Sequence, residues 1–256
     1  MVMVVRTEAI VLKSIPFRET SRLVTLYTLK LGKLTTVARG AQSRKNQFGS
    51  TLQVLSHVQA VIYTRPTRSI QVLTNCAHIT VHPGISHDLK RLAIGQRICE
   101  LVLALTEEGV DSPEIFHLVT RTLSALGNPA TDAVLVQLYF QLHLAAALGF
   151  GPSFTRDEVE RVDDSGGYLM LDTGTISREK DTGSLSLAAS RGVLRAFAIL
   201  YKADFDVILR MQLTEKQRRK LYTLVTRFMR YHVQEAYPER GEEVLSQILG
   251  LSPKVE

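Results

Sequence analysis

The spacing of apolar residues changes at His82-Pro83-Gly84, and this change divides the chain into a β part and a helical part. Before it, short runs rich in Val, Ile, Thr and Tyr are separated by turn-forming residues, which is typical of strands. After it, apolar residues recur every three or four positions, which predicts helices. Strands followed by helices predict the α+β class.

Five strands are predicted in the β part, and one of them, residues 21–29, carries apolar residues on both faces, as in a barrel wall. Five short strands in about 80 residues indicate a small closed barrel of the OB-fold type, with an open antiparallel sheet as the alternative. We therefore expect an OB-fold domain at residues 1–80. The predicted strands lie at residues 2–12, 21–29, 34–38, 52–64 and 69–75.

The second expected domain, residues 81–256, is mostly helical. A polar, glycine-containing segment at about residues 151–185 interrupts its helices, and residues 168–171 within that segment are expected to form a hairpin strand. The predicted helices lie at residues 88–107, 112–126, 131–148, 187–201, 214–235 and 242–249.

Positive charge is concentrated in the β part. The chain of 256 residues has a formal net charge of +6, whereas residues 1–80 hold eleven Lys or Arg and two acids, which leaves +9 there. Such a segment attracts polyanions, because each Lys or Arg placed on a phosphate releases a counterion. Charge alone does not distinguish a polyanion-binding surface from a solvated basic face.

Basic residues flank the predicted turns and loops of the barrel, where OB-folds follow the phosphates of a single strand. Phe48 lies in the basic loop and is the aromatic residue best placed to stack on a base, ahead of Phe17, Tyr27 and Tyr63. The expected nucleic-acid-binding residues are Arg22, Lys33, Arg39, Arg44, Lys45, Phe48, Arg65 and Arg68.

A second basic surface is predicted on the helix that begins after Thr214. Thr214 and Gln217 form a capping box, which fixes the start of the helix. At about 100° per residue, five cations fall within one arc and apolar residues fall in the adjoining arc. This stripe is either a solvated surface or a second contact for DNA or an acidic peptide. Its members are Lys216, Arg219, Lys220, Arg227 and Arg230.

Motifs of common catalytic and nucleotide-binding sites do not occur in the sequence. It has no P-loop, no dinucleotide-binding glycine pattern, no His-Glu-x-x-His and no Gly-x-Ser-x-Gly. Asp163, Asp164 and Asp172 lack calcium-loop spacing, so we interpret them as loop-forming residues. A magnesium-dependent enzyme using these carboxylates is the least favoured alternative.

Cysteine and histidine are too sparse to predict a metal site. The residues with ligand types that suit zinc are Cys76, His78, His82 and His87. Their spacing fits no closed zinc site, so we expect no metal there.

Two cysteines indicate reduced thiols in a cytoplasmic protein. No apolar run reaches the roughly 18–20 residues of a membrane helix, and residues 1–6 are typical of a strand rather than a signal peptide.

Four segments of the β part resemble the N-terminal region of the RecO family of bacterial recombination mediators. They are EAIVLK at residues 8–13, RETSRLVTLYT at 18–28, GKL at 32–34 and VARGA at 37–41. The resemblance is dense over residues 6–60. After residue 60 it rests only on the order of elements, which is barrel, helices, glycine-rich interruption and further helices.

The resemblance implies an OB-fold domain followed by a helical domain, in a non-enzymatic protein of the bacterial cytoplasm and nucleoid. It implies binding of single- and double-stranded DNA, annealing of complementary strands, contact with RecR and with the acidic tail of single-strand-binding protein, and help in loading RecA. By position, Lys33, Arg39, Arg44 and Lys45 resemble the family's basic barrel surface. An RNA-binding module with the same barrel is the alternative function.

The resemblance also bears on zinc. Many members of the family carry a four-cysteine zinc motif in the interrupting segment, but residues 154–175 of this chain contain no cysteine. We therefore expect that the zinc site is lost and that packing alone holds the hairpin.

Overall fold

A computed structural model describes residues 3–43, 46–181 and 183–251. The chain divides into two compact units, Met1–Gly127 and Asn128–Glu256. The first unit consists of strands followed by three helices, and the second is mostly helical. Within the described ranges, no helix is long and apolar enough to cross a membrane.

Five strands open the first unit: β1 (Met3–Phe17), β2 (Ser21–Thr28), β3 (Gly32–Ala38), β4 (His57–Thr64) and β5 (Ile70–Thr80). The long β1 pairs with β4 along its first half and with β2 along its second half. β3 pairs with β5 in parallel, and the sheet closes into a barrel in the order β1-β2-β3-β5-β4. The predicted five-stranded barrel followed by a mostly helical region is confirmed.

Inward-facing residues at alternate positions fill the barrel, as the period of a strand requires. Val24, Leu26, Ile62 and Leu73 are among these buried residues. β4 begins at His57 rather than at residue 52, because the preceding residues form turns with Leu55 at a positive φ of 75°. β5 continues to Thr80, beyond its predicted end at residue 75.

Three helices complete the first unit: α1 (Pro83–Ser86), α2 (Leu89–Leu105) and α3 (Pro113–Gly127). Asp88 caps α2 by accepting hydrogen bonds from the backbone N–H groups of Lys90 and Arg91. The Arg91 guanidinium donates to the carbonyl oxygen of Leu126 at 2.7 Å, which ties α2 to the end of α3. α2 also packs against β1, with buried Cys99 beside Val11.

The second unit contains a three-stranded sheet among helices. Its core contains the buried side chains of Phe140, Phe197 and Phe228, which come from three of its helices. The elements are α4 (Ala133–Ala147), α5 (Arg156–Arg161), β6 (Gly167–Met170), β7 (Ile176–Ser177), β8 (Ser186–Ala189), α6 (Arg191–Lys202), α7 (Phe205–Leu209), α8 (Glu215–Val233) and α9 (Glu239–Leu249).

The hairpin expected around residues 168–171 is present as β6, which pairs with β7 on one side and β8 on the other. Pairing with β6 makes residues 186–189 a strand, so the helix predicted from residue 187 begins only at Arg191. The short helices α5 and α7 were not predicted. The capping box of Thr214 and Gln217 starts α8 as expected.

Candidate nucleic-acid interface

Three of the predicted barrel cations gather around one hollow on the outer wall. Arg39, Arg65 and Arg68 are exposed, although they come from two different connections of the barrel. They line a cavity of about 300 Å³ together with Tyr63, Ile70 and Gln71. We call this set the arginine hollow.

The side chain of Gln71 fixes the turn that carries Arg65 and Arg68. Its Oε1 accepts from the Arg65 N–H at 2.7 Å, and its Nε2 donates to the carbonyl oxygens of Arg65 and Arg68 at 3.3 and 2.5 Å. The Arg68 N–H closes the turn on the Arg65 carbonyl oxygen at 3.0 Å. Pro66 restricts its own φ at the second position of this turn. The backbone is held without using either guanidinium group.

The chain after Arg39 is also anchored by its backbone. The Gln42 N–H donates to the Thr20 carbonyl oxygen at 2.9 Å, and the Ser43 N–H donates to that of Gly40 at 3.0 Å. Among the residues that the structure describes, no carboxylate pairs with the guanidinium group of an arginine in the hollow. The scarcity of acids in this part of the sequence explains why these charges stay free.

Tyr63 is the aromatic residue of the arginine hollow. It lies on β4 between Val4 of β1 and Val72 of β5 in the strand register, and its side chain is 44% exposed. The sequence names Tyr63 as an available aromatic residue but favours Phe48, because only the structure places Tyr63 beside three arginines.

Phe48 is buried, so its predicted role in stacking on bases is wrong. It is only 2% exposed and belongs to the barrel core with Leu52 and Ala41. Asn46 accepts a hydrogen bond from the Phe48 N–H at 2.8 Å, which forms a turn at this point. A large aromatic side chain in a polar loop closes the barrel core here instead of facing solvent.

Lys33 is buried as well, which corrects the prediction that it binds DNA. It is 9% exposed, and its ammonium donates to the carbonyl oxygen of Leu103 at 2.7 Å and to that of Thr106. These carbonyls lie at the end of α2, where the helix dipole favours a cation. Burial lowers the pKa of Lys33, and Glu108 and Glu107 oppose that change. Lys33 therefore ties the barrel to α2.

The remaining barrel predictions have different outcomes. Arg22 is half-buried, and its guanidinium donates to Oγ and to the carbonyl oxygen of Ser14 at 2.9 and 3.0 Å. Arg22 therefore already has protein partners at the barrel surface. Arg44 and Lys45 lie outside the described residues.

The five cations of the predicted stripe are all exposed on α8. Lys216, Arg219 and Lys220 line a groove of about 880 Å³, whose other wall includes Arg178 and the N-terminal end of α6 at Ser190. The groove was not predicted, because it forms where α8 faces the three-stranded sheet.

Two of the stripe arginines are paired with acids. Arg219 pairs with Glu215 one turn earlier at 2.6 Å, and Arg230 pairs with Glu239. Lys216, Lys220 and Arg227 make no ion pair within the described ranges. The stripe therefore presents fewer free charges than its sequence suggests.

The aspartates of the interrupting segment bind protein groups. Asp163 pairs with Arg178 at 2.8 Å, and Asp164 pairs with Arg191 at 3.3 Å. Hydrogen bonds from Ser165, more than the two arginines, lower the pKa of Asp163. Both ion pairs are exposed, so they add little to the packing that holds the hairpin.

Cys76 and its histidine neighbours do not converge. Burial raises the pKa of Cys76 to about 11, and His78 lies 3.0 Å from the Ser50 hydroxyl. Within residues 3–43, 46–181 and 183–251, no group of three or more His, Cys, Asp or Glu side chains is close enough to hold a metal ion.

Comparison with known proteins agrees with this architecture. The family model described as Recombination protein O N terminal matches residues 1–81, and that described as Recombination protein O C terminal matches residues 86–241. A DNA repair protein RecO of Salinibacter ruber is 39% identical over 250 residues, which are 98% of this chain and 96% of that protein. Proteins of the same name from Pelodictyon phaeoclathratiforme and Clostridium novyi are 27% and 25% identical, over 96% and 88% of this chain and 99% and 87% of their own lengths.

Proposed function

The chain belongs to the RecO family of DNA repair proteins, and from this premise we propose that it is a non-enzymatic recombination mediator that binds single- and double-stranded DNA. The observation that carries the proposal is the arginine hollow, with three exposed guanidinium groups on one wall of the barrel that pair with no carboxylate of the described residues. Guanidinium groups bind phosphate oxygens in a bidentate manner and keep their charge at all working pH values.

Annealing follows from the presence of two basic surfaces. Two complementary strands repel each other, and a protein with a cationic surface on each unit lowers that repulsion by binding both. The arginine hollow takes one strand, and the α8 stripe with its groove takes the second strand or the acidic tail of single-strand-binding protein. Three cations that make no ion pair in the described part of the chain and a groove of about 880 Å³ support this second role.

The wider role is that of the family. We propose that the protein acts in the bacterial cytoplasm with RecR and helps to load RecA onto DNA coated by single-strand-binding protein. Residues 1–80 serve as the nucleic-acid-binding domain and residues 81–256 as the helical domain. The hairpin functions without zinc, because residues 154–175 lack cysteine and Asp163 and Asp164 pair with arginines.

The arginine hollow is tested by the triple variant Arg39→Gln, Arg65→Gln and Arg68→Gln in the full chain. We expect single-strand affinity to fall about 100-fold at low salt, and the slope of log affinity against log salt to become shallower by about 2, from three lost phosphate contacts. The matched control is Arg6→Gln, Lys13→Gln and Arg18→Gln, three exposed cations outside the hollow. If both variants had the same salt slope of DNA binding, the assignment of DNA binding to the arginine hollow would be wrong.

The stripe is tested by Lys216→Gln, Lys220→Gln and Arg227→Gln. Annealing of complementary oligonucleotides should slow about tenfold while binding of one strand changes little. A labelled peptide of the acidic tail, competed with duplex DNA, shows which ligand occupies the stripe. RNA of the same sequence used as a competitor tests the RNA-binding alternative, since only the 2′-hydroxyl differs along the backbone.

A further inference from the structure

Outward-facing apolar residues form a continuous row around the barrel. Ile15 pairs with Leu23, Leu23 with Val37 and Val37 with Val72, while Tyr63 pairs with both Val72 and Val4. We call this row the outer belt. Its members are Val4, Ile15, Leu23, Val37, Tyr63 and Val72.

The side chains of the outer belt are not needed to fill the core of the barrel. The neighbouring inward positions Val24, Ile62 and Leu73 are buried and already fill the core. Val4, Ile15 and Tyr63 of the belt are 57%, 42% and 44% exposed. The other three members, Leu23, Val37 and Val72, are half-buried. Single exposed apolar residues are ordinary, whereas an apolar row that crosses every strand is typical of a surface that contacts a ligand.

The arginines flank this belt on both sides, with Arg39 toward Thr74 and with Arg65 and Arg68 toward Ile70 of β5. Arg39 follows Val37 by two residues and Arg65 follows Tyr63 by two residues, each just beyond the end of its strand. Arg68 lies shortly before β5, whose Val72 is the belt residue. Cations on both sides of an exposed aromatic ring, without an ion pair among the described residues, match a chain that alternates phosphates with flat, apolar groups.

Resting on the proposed DNA-binding function, we propose that Tyr63 stacks on an unpaired nucleobase and makes the arginine hollow selective for single strands over duplex. In a duplex, both faces of each base are covered by its neighbours, so only phosphates reach the hollow. In a single strand, a base can turn onto the Tyr63 ring while its phosphates bind Arg39 and Arg65. Stacking is sequence-tolerant, since every base has a π-face. Tyr63 is thus a specificity-determining residue.

The test compares Tyr63→Ala with Tyr63→Phe in the full chain, using a labelled oligothymidylate and a duplex of equal length. Tyr63→Ala should weaken single-strand binding about tenfold and duplex binding less than twofold. The salt slope should not change, because no charge is lost. Tyr63→Phe should bind like the unmodified protein. The matched control is Ile79→Ala, a residue on β5 with 43% exposure that is outside the belt.

A second measurement changes the DNA instead of the protein, so a misfolded variant cannot explain its result. The unmodified protein is titrated with oligonucleotides in which single thymidines are replaced by abasic units that keep every phosphate. We expect one or more positions to lose about tenfold in affinity, and Tyr63→Ala to be insensitive to the same replacements.

Equal losses on single strand and duplex, failure of Tyr63→Phe to bind normally, or indifference to abasic units would overturn the proposal. If the variant with all three arginines replaced shows the shallower salt slope while Tyr63→Ala binds normally, stacking is wrong and the barrel function stands. If neither variant changes binding, the barrel assignment itself fails. Binding of an apolar peptide that Tyr63→Ala abolishes, with DNA binding unchanged, would assign the belt to a protein partner instead.

Discussion

The two basic surfaces of this protein contain different numbers of cations, three in the arginine hollow and five on α8, but each leaves three without an ion pair in the described ranges. The arginine hollow has three guanidinium groups, none paired with a carboxylate in the part of the chain that the structure describes. On α8, two of five cations are paired with acids. Exposed ion pairs stabilise a fold by little, typically under about 1 kcal/mol, but they reduce the charge that a polyanion meets. Counting cations in a sequence therefore overestimates the stripe more than the hollow.

The barrel also separates its own basic residues into two classes. Arg39, Arg65 and Arg68 face solvent, whereas Lys33 is buried against the end of α2. Gly32 beside it has a φ of 61°, and an added Cβ there would lie 2.0 Å from the Val110 carbonyl oxygen. The segment at residues 32–34 is therefore a packing motif between the barrel and the chain after α2.

The largest expected effect comes from Gly32→Ala. It adds a left-handed strain of about 1–2 kcal/mol to a backbone clash, and we expect the first unit to lose at least about 4 kcal/mol of unfolding free energy. Gly40→Ala is the matched control, because Gly40 also has a positive φ of 72° but the nearest atom to its Cβ is at 3.8 Å. Urea unfolding followed by circular dichroism measures both. Equal costs would show that the close approach to Val110 does not matter.

Lys33→Met comes next and separates packing from phosphate binding. It leaves the carbonyls of Leu103 and Thr106 without their buried donor, and we expect a loss of about 2–4 kcal/mol in stability. The salt slope of DNA binding should stay unchanged, in contrast to the variant lacking the three arginines. Lys30→Met, an exposed neighbour, should be nearly neutral in stability. If folded Lys33→Met showed a shallower salt slope of DNA binding, Lys33 would be a DNA-binding residue after all.

A smaller effect is expected when the paired cations of α8 are released. Glu215→Gln with Glu239→Gln frees Arg219 and Arg230, which makes the stripe more like the arginine hollow. We expect annealing to accelerate roughly threefold at low salt and the salt slope to steepen by about 1. The control is Glu160→Gln, which removes an exposed acid that pairs with Arg156 on α5. No change in annealing would mean that the stripe does not contact DNA.

The smallest effect concerns pH, and both units should respond alike. Burial lowers the pKa of His82 in the first unit, with His57 adding to that shift, and burial also lowers the pKa of His232 in the second unit. Below about pH 6.5 the unfolded chain therefore binds more protons than the folded chain, and stability falls as the pH drops.

We expect the melting temperature to decrease by a few degrees between pH 7 and pH 5, and the decrease to be smaller in His82→Gln and in His232→Gln. His87→Gln, at an exposed position, is the control. The free charge of the arginine hollow should not change over this range, because guanidinium groups do not titrate there. A steeper melting-temperature change in either variant would reverse the sign of the argument.

Local sequence determined much of the architecture. The change in apolar spacing predicts strands before helices, Ser and Thr with their partners mark helix starts, and the capping box at Thr214 fixes the first turn of α8. These features are predictable because they depend on residues within one or two turns of each other. The excess of Lys and Arg over acids in residues 1–80 is likewise a property of the sequence alone.

Tertiary structure alone decided which basic and aromatic residues are free. Lys33 is buried against carbonyls 70 and 73 positions later, and Phe48 turns into the barrel core. Tyr63 joins Arg39 only because β3 and β4 both pair with β5. Local spacing cannot reveal these outcomes, because burial of a side chain depends on partners that the folded chain brings from far along the sequence. The same reason hides the groove beside α8, which forms only where the helix faces the three-stranded sheet.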